Sequence, residues 1–155
     1  MKIYIASDHA GFHLKKQLIQ YLKVKDFEVE DCGAYELDEA DDYPDFIIPC
    51  AQKVSSDPKS VGIVIGGSGQ GEAICANKVK GIRAAVFYGS PSASSGSSIP
   101  RLAKEHNNAN IFSLGARLIS PDDAKKAVSS WLDAKFEGGR HVRRLDKIAR
   151  YEETK

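Results

Sequence analysis

The sequence predicts an α/β fold: an open, doubly wound, five-stranded parallel sheet with helices on both faces, in the flavodoxin-like strand order 2-1-3-4-5. Three observations predict it. Short apolar runs alternate with helix-period patterns along the whole chain, which is how βα repetition and a parallel sheet read. The run "VGIVI", Val61–Ile65, is nearly all β-branched, as expected of a strand covered on both faces. Five such runs suit an open sheet better than an eight-stranded barrel, and 155 residues suit a single domain spanning 1–155.

The elements follow in order. Lys2–Ala6 opens as a strand, and a helix runs from about Gly11 to Val24 with Leu14, Leu18 and Leu22 on one stripe. Phe27–Glu30 is the second strand. The acidic run Glu36–Asp45 lacks the spacing and central glycine of a calcium loop, so it reads as solvated. Pro44 then suits the first turn of a helix. Strand Val61–Ile65, helix Glu72–Val79, strand Ile82–Phe87, helix Arg101–His106, strand Asn110–Leu114 and helix Pro121–Trp131 continue the alternation. Two segments interrupt it. Ser90–Ile99 is low in complexity and rich in Ser, Gly and Pro, which reads as a flexible surface loop. The tail "GGRHVRRLDKIARYEETK" starts with a glycine hinge and reads as a basic helix over about residues 139–152. Such a helix packs on its own chain or on a partner subunit.

Composition narrows the function. A formal net charge of +1 provides no global field for nucleic acid or an anionic membrane. No apolar run approaches the roughly 20 residues of a membrane span, and the apolar stretch after Met1-Lys2 is too short for a signal peptide. Cys32, Cys50 and Cys75 are odd in number and widely spaced, matching neither a zinc site nor a disulfide framework. They read as reduced thiols of a cytoplasmic protein.

Ligands of open α/β sheets bind beyond the carboxyl ends of the strands, where the strand order reverses. For the expected order that point lies between strand one, ending in "SDHAG", and strand three, ending in "GGSGQGE". The glycine loop is not a Walker A sequence, because Glu72-Ala73 stands where Lys-Ser/Thr is required. Nor is it a dinucleotide fingerprint. Its glycines leave backbone N–H groups open to an oxyanion. A carboxylate beside such donors is equipment for removing a proton and stabilising the anion that results, with Ser68 as an added hydroxyl. Desolvation would strengthen that base. An acid in a first helical turn is also an ordinary stabilising feature. Asp8 and His9 read equally as a local cap or a site, and His106 with Asn107 equally as a helix C-terminus or a site. Arg140 and Arg144, four apart with His141 beside them, share a helix face, and Arg117 follows strand five; guanidinium forks suit a phosphate dianion. The alternative for the tail is a solvated basic helix. Tyr43, in "DDYPDF", is placed to overhang the crevice.

"ASDHAGFHLK", "DCGAYELDEADDYPDF", "GGSGQGEAICANKVKGIRAA", "KEHNNANIFSLGAR" and "GGRHVRRLDKI" together resemble the ribose-5-phosphate isomerase type B family, which includes the subunits of galactose-6-phosphate isomerase. The likeness is collinear over nearly the whole chain. It implies a Rossmann-like three-layer αβα sandwich, a homodimer or dimer of dimers with sites shared between subunits, and no cofactor or metal. The partner is a small sugar phosphate, with neither nucleic acid nor membrane involved. The implied reaction interconverts ribose 5-phosphate and ribulose 5-phosphate through an enediolate, in the pentose phosphate pathway. By the same resemblance Asp8 and His106 open the sugar ring, and Glu72 moves a proton between C1 and C2. The backbone of Gly67, Gly69, Gln70 and Gly71, with Ser68 and Asn107, holds the anion. His9, Arg117, Arg140, His141 and Arg144 contact phosphate and substrate, and Tyr43 lies on the substrate side. One departure is Gly66, where many members carry a catalytic cysteine; a second branch uses the glutamate at Glu72, and this chain fits that branch. Cys75 lies inside a helix and does not replace the thiol. The Ser-rich loop is longer than the family usually carries. The alternatives are an isomerase of a six-carbon sugar phosphate (allose or galactose 6-phosphate) and a non-catalytic sugar-phosphate or nucleotide-binding module.

Overall fold

A parallel sheet is the middle layer of the computed structural model, in which residues 1–89 and 98–154 are described. Its strands are β1 (Lys2–Ser7), β2 (Glu28–Asp31), β3 (Val61–Gly66), β4 (Ala84–Phe87) and β5 (Ile111–Gly115). Their spatial order is β2-β1-β3-β5-β4, all parallel. The expected order 2-1-3-4-5 is therefore corrected at its last two places. Burial explains the exchange: β5 is buried at every residue, whereas Ala84, Ala85 and Val86 of β4 are only half-buried. A strand covered throughout belongs inside the sheet, and a short half-covered one belongs at its edge.

The helices among the described residues are α1 (Phe12–Val24), entered through a 3₁₀ turn at His9–Gly11, α2 (Pro44–Ser56), α3 (Gln70–Ala76), α4 (Ile99–Glu105), α5 (Pro121–Asp133) and α6 (Arg140–Glu153). Right-handed crossovers send α2 and α3 to one face of the sheet and α1 and α4 to the other, because the chain steps in opposite directions between their strands. α5 joins α1 and α4. Ser120 caps α5, its Oγ accepting the Asp123 N–H at 3.1 Å.

Two cores follow from the period-two alternation of the strands. Ile3, Ile5, Ile63, Ile65, Phe112 and Leu114 meet Leu18 and Leu22 of α1 and Val128 and Trp131 of α5. Trp131 stacks on Phe112 with ring centroids 5.2 Å apart. Tyr4, Ala6 and Val64 on the other face meet Ile47, Cys50 and Val54 of α2 and Cys75 and Ala76 of α3. Each large aliphatic buried this way contributes about 1.5–3 kcal/mol. All three cysteines are free and buried.

Lys15 of α1 is fully buried, and its ammonium donates to Asp31 Oδ1 and to the Ala34 carbonyl, each at 2.6 Å. That pins the start of the acidic loop between β2 and α2. The tail helix α6 buries only His141, leaving Val142 and Ile148 exposed. Most of Ser90–Ile99 lies outside the described residues. No helix among the described residues is long and apolar enough to cross a membrane.

Candidate active site

Strand β3 lies between β1 and β5, and the helices following those two strands pack on the opposite face from α3. The chain therefore diverges on both sides of the glycine loop, and a crevice opens at the carboxyl edge. This crevice, about 360 Å³, is lined by Tyr43, Gly67, Ser68, Gly71, Glu72, Arg117 and Leu118. A larger cavity of about 430 Å³ lies at the opposite edge of the sheet. Two of its cations serve the chain itself: Arg83 Nε donates to the Asn108 carbonyl at 2.9 Å and Lys104 Nζ to the Ala109 carbonyl at 3.1 Å.

The exchanged strand order shapes the loop. With β5 beside β3, the Ala116 N–H donates to the Gly66 carbonyl at 2.8 Å and the Arg117 N–H to the Gly67 carbonyl at 3.0 Å. The buried Ser113 hydroxyl donates to the Gly69 carbonyl at 2.7 Å. Gly69 turns the chain with φ +75°, and a Cβ there would lie 2.9 Å from the Leu114 carbonyl carbon, so only glycine fits this turn. Gln70 opens α3, its N–H donating to Ser68 Oγ at 3.3 Å. The Arg117 guanidinium lies over Gly67 and the Tyr43 ring against Gly71.

Glu72 is 4% exposed. Its carboxylate occupies the space that a side chain at Gly66 would fill. Burial raises the Glu72 carboxyl above its ordinary range; a hydrogen bond from its own backbone opposes this, and the charge of Asp8 adds to it.

At the end of β1, Asp8 is buried and Oδ1 accepts the Gly11 N–H at 3.1 Å, so it does cap the 3₁₀ turn. His9 points to a residue that sequence reading missed. Asp41 Oδ1 accepts both the His9 backbone N–H at 3.1 Å and His9 Nδ1–H at 2.6 Å. The acidic run is thus not solvated throughout. The Asp41 bond raises the His9 imidazole above its ordinary value; burial opposes this, Asp8 supports it, and Arg117 opposes it.

The remaining predicted residues form a second cluster. α4 runs back across the sheet, so His106 and Asn107 sit at the amino edge, the length of β5 away from the glycine loop, roughly 15 Å. The His106 and His141 rings stack with centroids 4.4 Å apart and planes 12° apart. Glu137 Oε2 lies 3.7 Å from His106 Nε2 and 3.9 Å from His141 Nε2. Burial, then His106, Arg140 and Arg144, lower the His141 imidazole, and Glu137 opposes them. Arg140 and Arg144 are exposed on α6. Asn107 lines a separate cavity of about 290 Å³ with Leu145 and Ile148. Among the described residues no hydrogen bond or ion pair joins this cluster to the glycine loop.

Two trios bring potential metal-ligating atoms within 4.8 Å: His106, Glu137 and His141, and Asp8, His9 and Asp41. The stacked imidazoles of the first hold their in-plane lone pairs in nearly parallel planes, 12° apart, rather than in planes that meet at a shared point. The second is held by its own hydrogen bonds. Neither is shaped as a ligand sphere.

The comparisons agree with the fold. The ribose-5-phosphate isomerase B of Mycolicibacterium paratuberculosis is 43% identical, over 99% of this chain and 93% of that protein. The ribose-5-phosphate isomerase B of Mycoplasma genitalium, solved with bound ribulose 5-phosphate, is 44% identical, covering 99% of this chain and 97% of that one with a TM-score of 0.92. The corresponding Clostridium thermocellum structure is 45% identical, covering 99% of each chain with a TM-score of 0.90. The model of the ribose/galactose isomerase family matches residues 3–148. The chain belongs to the ribose/galactose isomerase family.

Proposed function

We propose that this chain is an aldose–ketose isomerase that interconverts ribose 5-phosphate and ribulose 5-phosphate, working in the cytoplasm as one domain and without a cofactor. The observation that carries the reading is Glu72: a buried carboxylate with raised proton affinity, packed beside a loop of glycines. In the open-chain aldose Glu72 removes the proton on C2 and returns it to C1, while the hydroxyl proton passes from O2 to O1. The loop N–H groups and Ser68 hold the negative oxygen in between. Arg117 and His9 supply positive charge at the same edge.

Asp8 from one edge and His106 from the other are the pair for ring opening, yet one chain keeps them apart. A two-fold related copy resolves this by bringing its own His106, Asn107, Arg140, His141 and Arg144 to the Glu72 crevice, giving a homodimer with shared sites. The exposed apolar residues of α6 support such an assembly.

Ribose 5-phosphate incubated with the protein in D₂O with EDTA, followed by NMR, tests the reading. Ribulose 5-phosphate with deuterium at C1 is the expected product. No turnover and no exchange would sink the five-carbon assignment; preferential turnover of allose or galactose 6-phosphate would replace it with a six-carbon one.

A further inference from the structure

Asp41 has no part in the chemistry above, yet its carboxylate is 8% exposed. Oδ1 takes two hydrogen bonds, both from His9, and Oδ2 is buried with no hydrogen-bond partner among the described residues. A carboxylate in such a position is costly unless a cation faces it. The loop that carries it is fixed at both ends, by Lys15 at Asp31 and Ala34 and by the first turn of α2 at Pro44.

The His9 ring is 28% exposed. With Nδ1–H committed to Asp41, Nε2 is the nitrogen left to meet a ligand. The charged groups acting on it are Asp8 from its own turn, Asp41 from the β2–α2 loop and Arg117 from the end of β5. Two neighbouring cations, one a guanidinium and one an imidazolium, would repel each other unless an acid stood behind one of them.

We propose that Asp41 is a positioning residue that fixes the orientation of His9 and keeps it cationic, so that Nε2–H and Arg117 together receive the anionic group of the substrate. Identification of that anion as a sugar phosphate rests on the function proposed above; the pairing itself does not. Asp41 raises affinity for a dianion without touching it, and it extends the range of that affinity toward higher pH. The sign follows from His9: raised by Asp41, it stays charged to higher pH, and affinity is lost as pH climbs through the raised value.

The test is Asp41→Asn, which keeps the shape and an acceptor but removes the charge. Side-chain NMR of His9 is followed against pH, with inorganic phosphate as the anion and ribose 5-phosphate kinetics beside it. The His9 midpoint should fall toward the ordinary value of 6.5. Phosphate affinity should drop about fivefold or more near pH 7.5 and by less than about twofold near pH 5.5, where both proteins carry a charged His9. KM should rise while kcat stays within about twofold. In a His9→Asn background, Asp41→Asn should add nothing. An unmoved His9 midpoint, equal loss of phosphate affinity at both pH values, or an undiminished effect in the His9→Asn background would each overturn the proposal. If those readouts hold and ribose 5-phosphate is not turned over, the pairing stands and the five-carbon function fails.

Discussion

A carboxylate that must be both buried and ionised works against the fold that holds it. The raised Glu72 carboxyl means the native state holds that proton more tightly than the unfolded chain does. Its stabilising contribution is therefore present at low pH and lost as pH rises through the raised value. Glu72→Gln should lower turnover by about 10²–10⁴, yet melt at a higher temperature than the parent at neutral pH. The stability gap should widen as pH climbs above the ordinary carboxyl value of 4.5. Parallel melting curves and steady-state rates check both halves; a variant less stable at every pH would contradict the account. Glu72 is legible in the sequence because it follows a conspicuous glycine pattern. Asp41 is not, because it is one acid in an acidic run and its partner lies 32 positions away. Ser113 is hidden for the same reason, a small polar residue within an apolar strand.

Among the elements, periodicity is enough to find every strand and helix of the described residues to within a few positions. It does not say which strands are neighbours, so the order of β4 and β5 emerges only from burial. That exchange is consequential, since it brings Ser113 and Arg117 to the glycine loop. Ser113→Ala would remove the shorter of the two hydrogen bonds to the Gly69 carbonyl, which keeps only the Ala73 N–H at 3.1 Å, a cost of about 0.5–1.5 kcal/mol. The loosened loop should lower kcat more than it raises KM. Helix α6 behaves differently, because its contacts with the body are few. A chain ending at Gly138 should keep the circular dichroism of the sheet and lose isomerase activity, migrating as a monomer on size-exclusion chromatography with light scattering. Retention of activity by that truncated chain would remove α6 from the site.

For the whole molecule, the two clusters at opposite edges of the sheet predict complementation. Glu72→Gln and His106→Asn homodimers should each be inactive. Mixed and reassembled in equal amounts, half the dimers are hybrids, and each hybrid has one crevice with neither substitution. About one quarter of normal activity should return. No recovery, with hybrids demonstrated by native mass spectrometry, would mean that each chain acts alone. Sequence reading reaches the list of residues through family resemblance, but not their division between two edges, because spacing along the chain carries no record of which end of a strand a helix returns to.

The shared volume of Gly66 and Glu72 reaches beyond the chemistry of one protein to the routes by which such proteins diverge. The space at the end of β3 has room for one functional group, delivered either by the strand or by the helix. A lineage moving from a helix-borne base to a strand-borne one must change both positions. Enlarging residue 66 first displaces the glutamate, and shortening residue 72 first removes the proposed base. Either single step is a loss, so libraries that vary the two sites separately should recover only the parent pair, and those that vary them together are the ones able to cross.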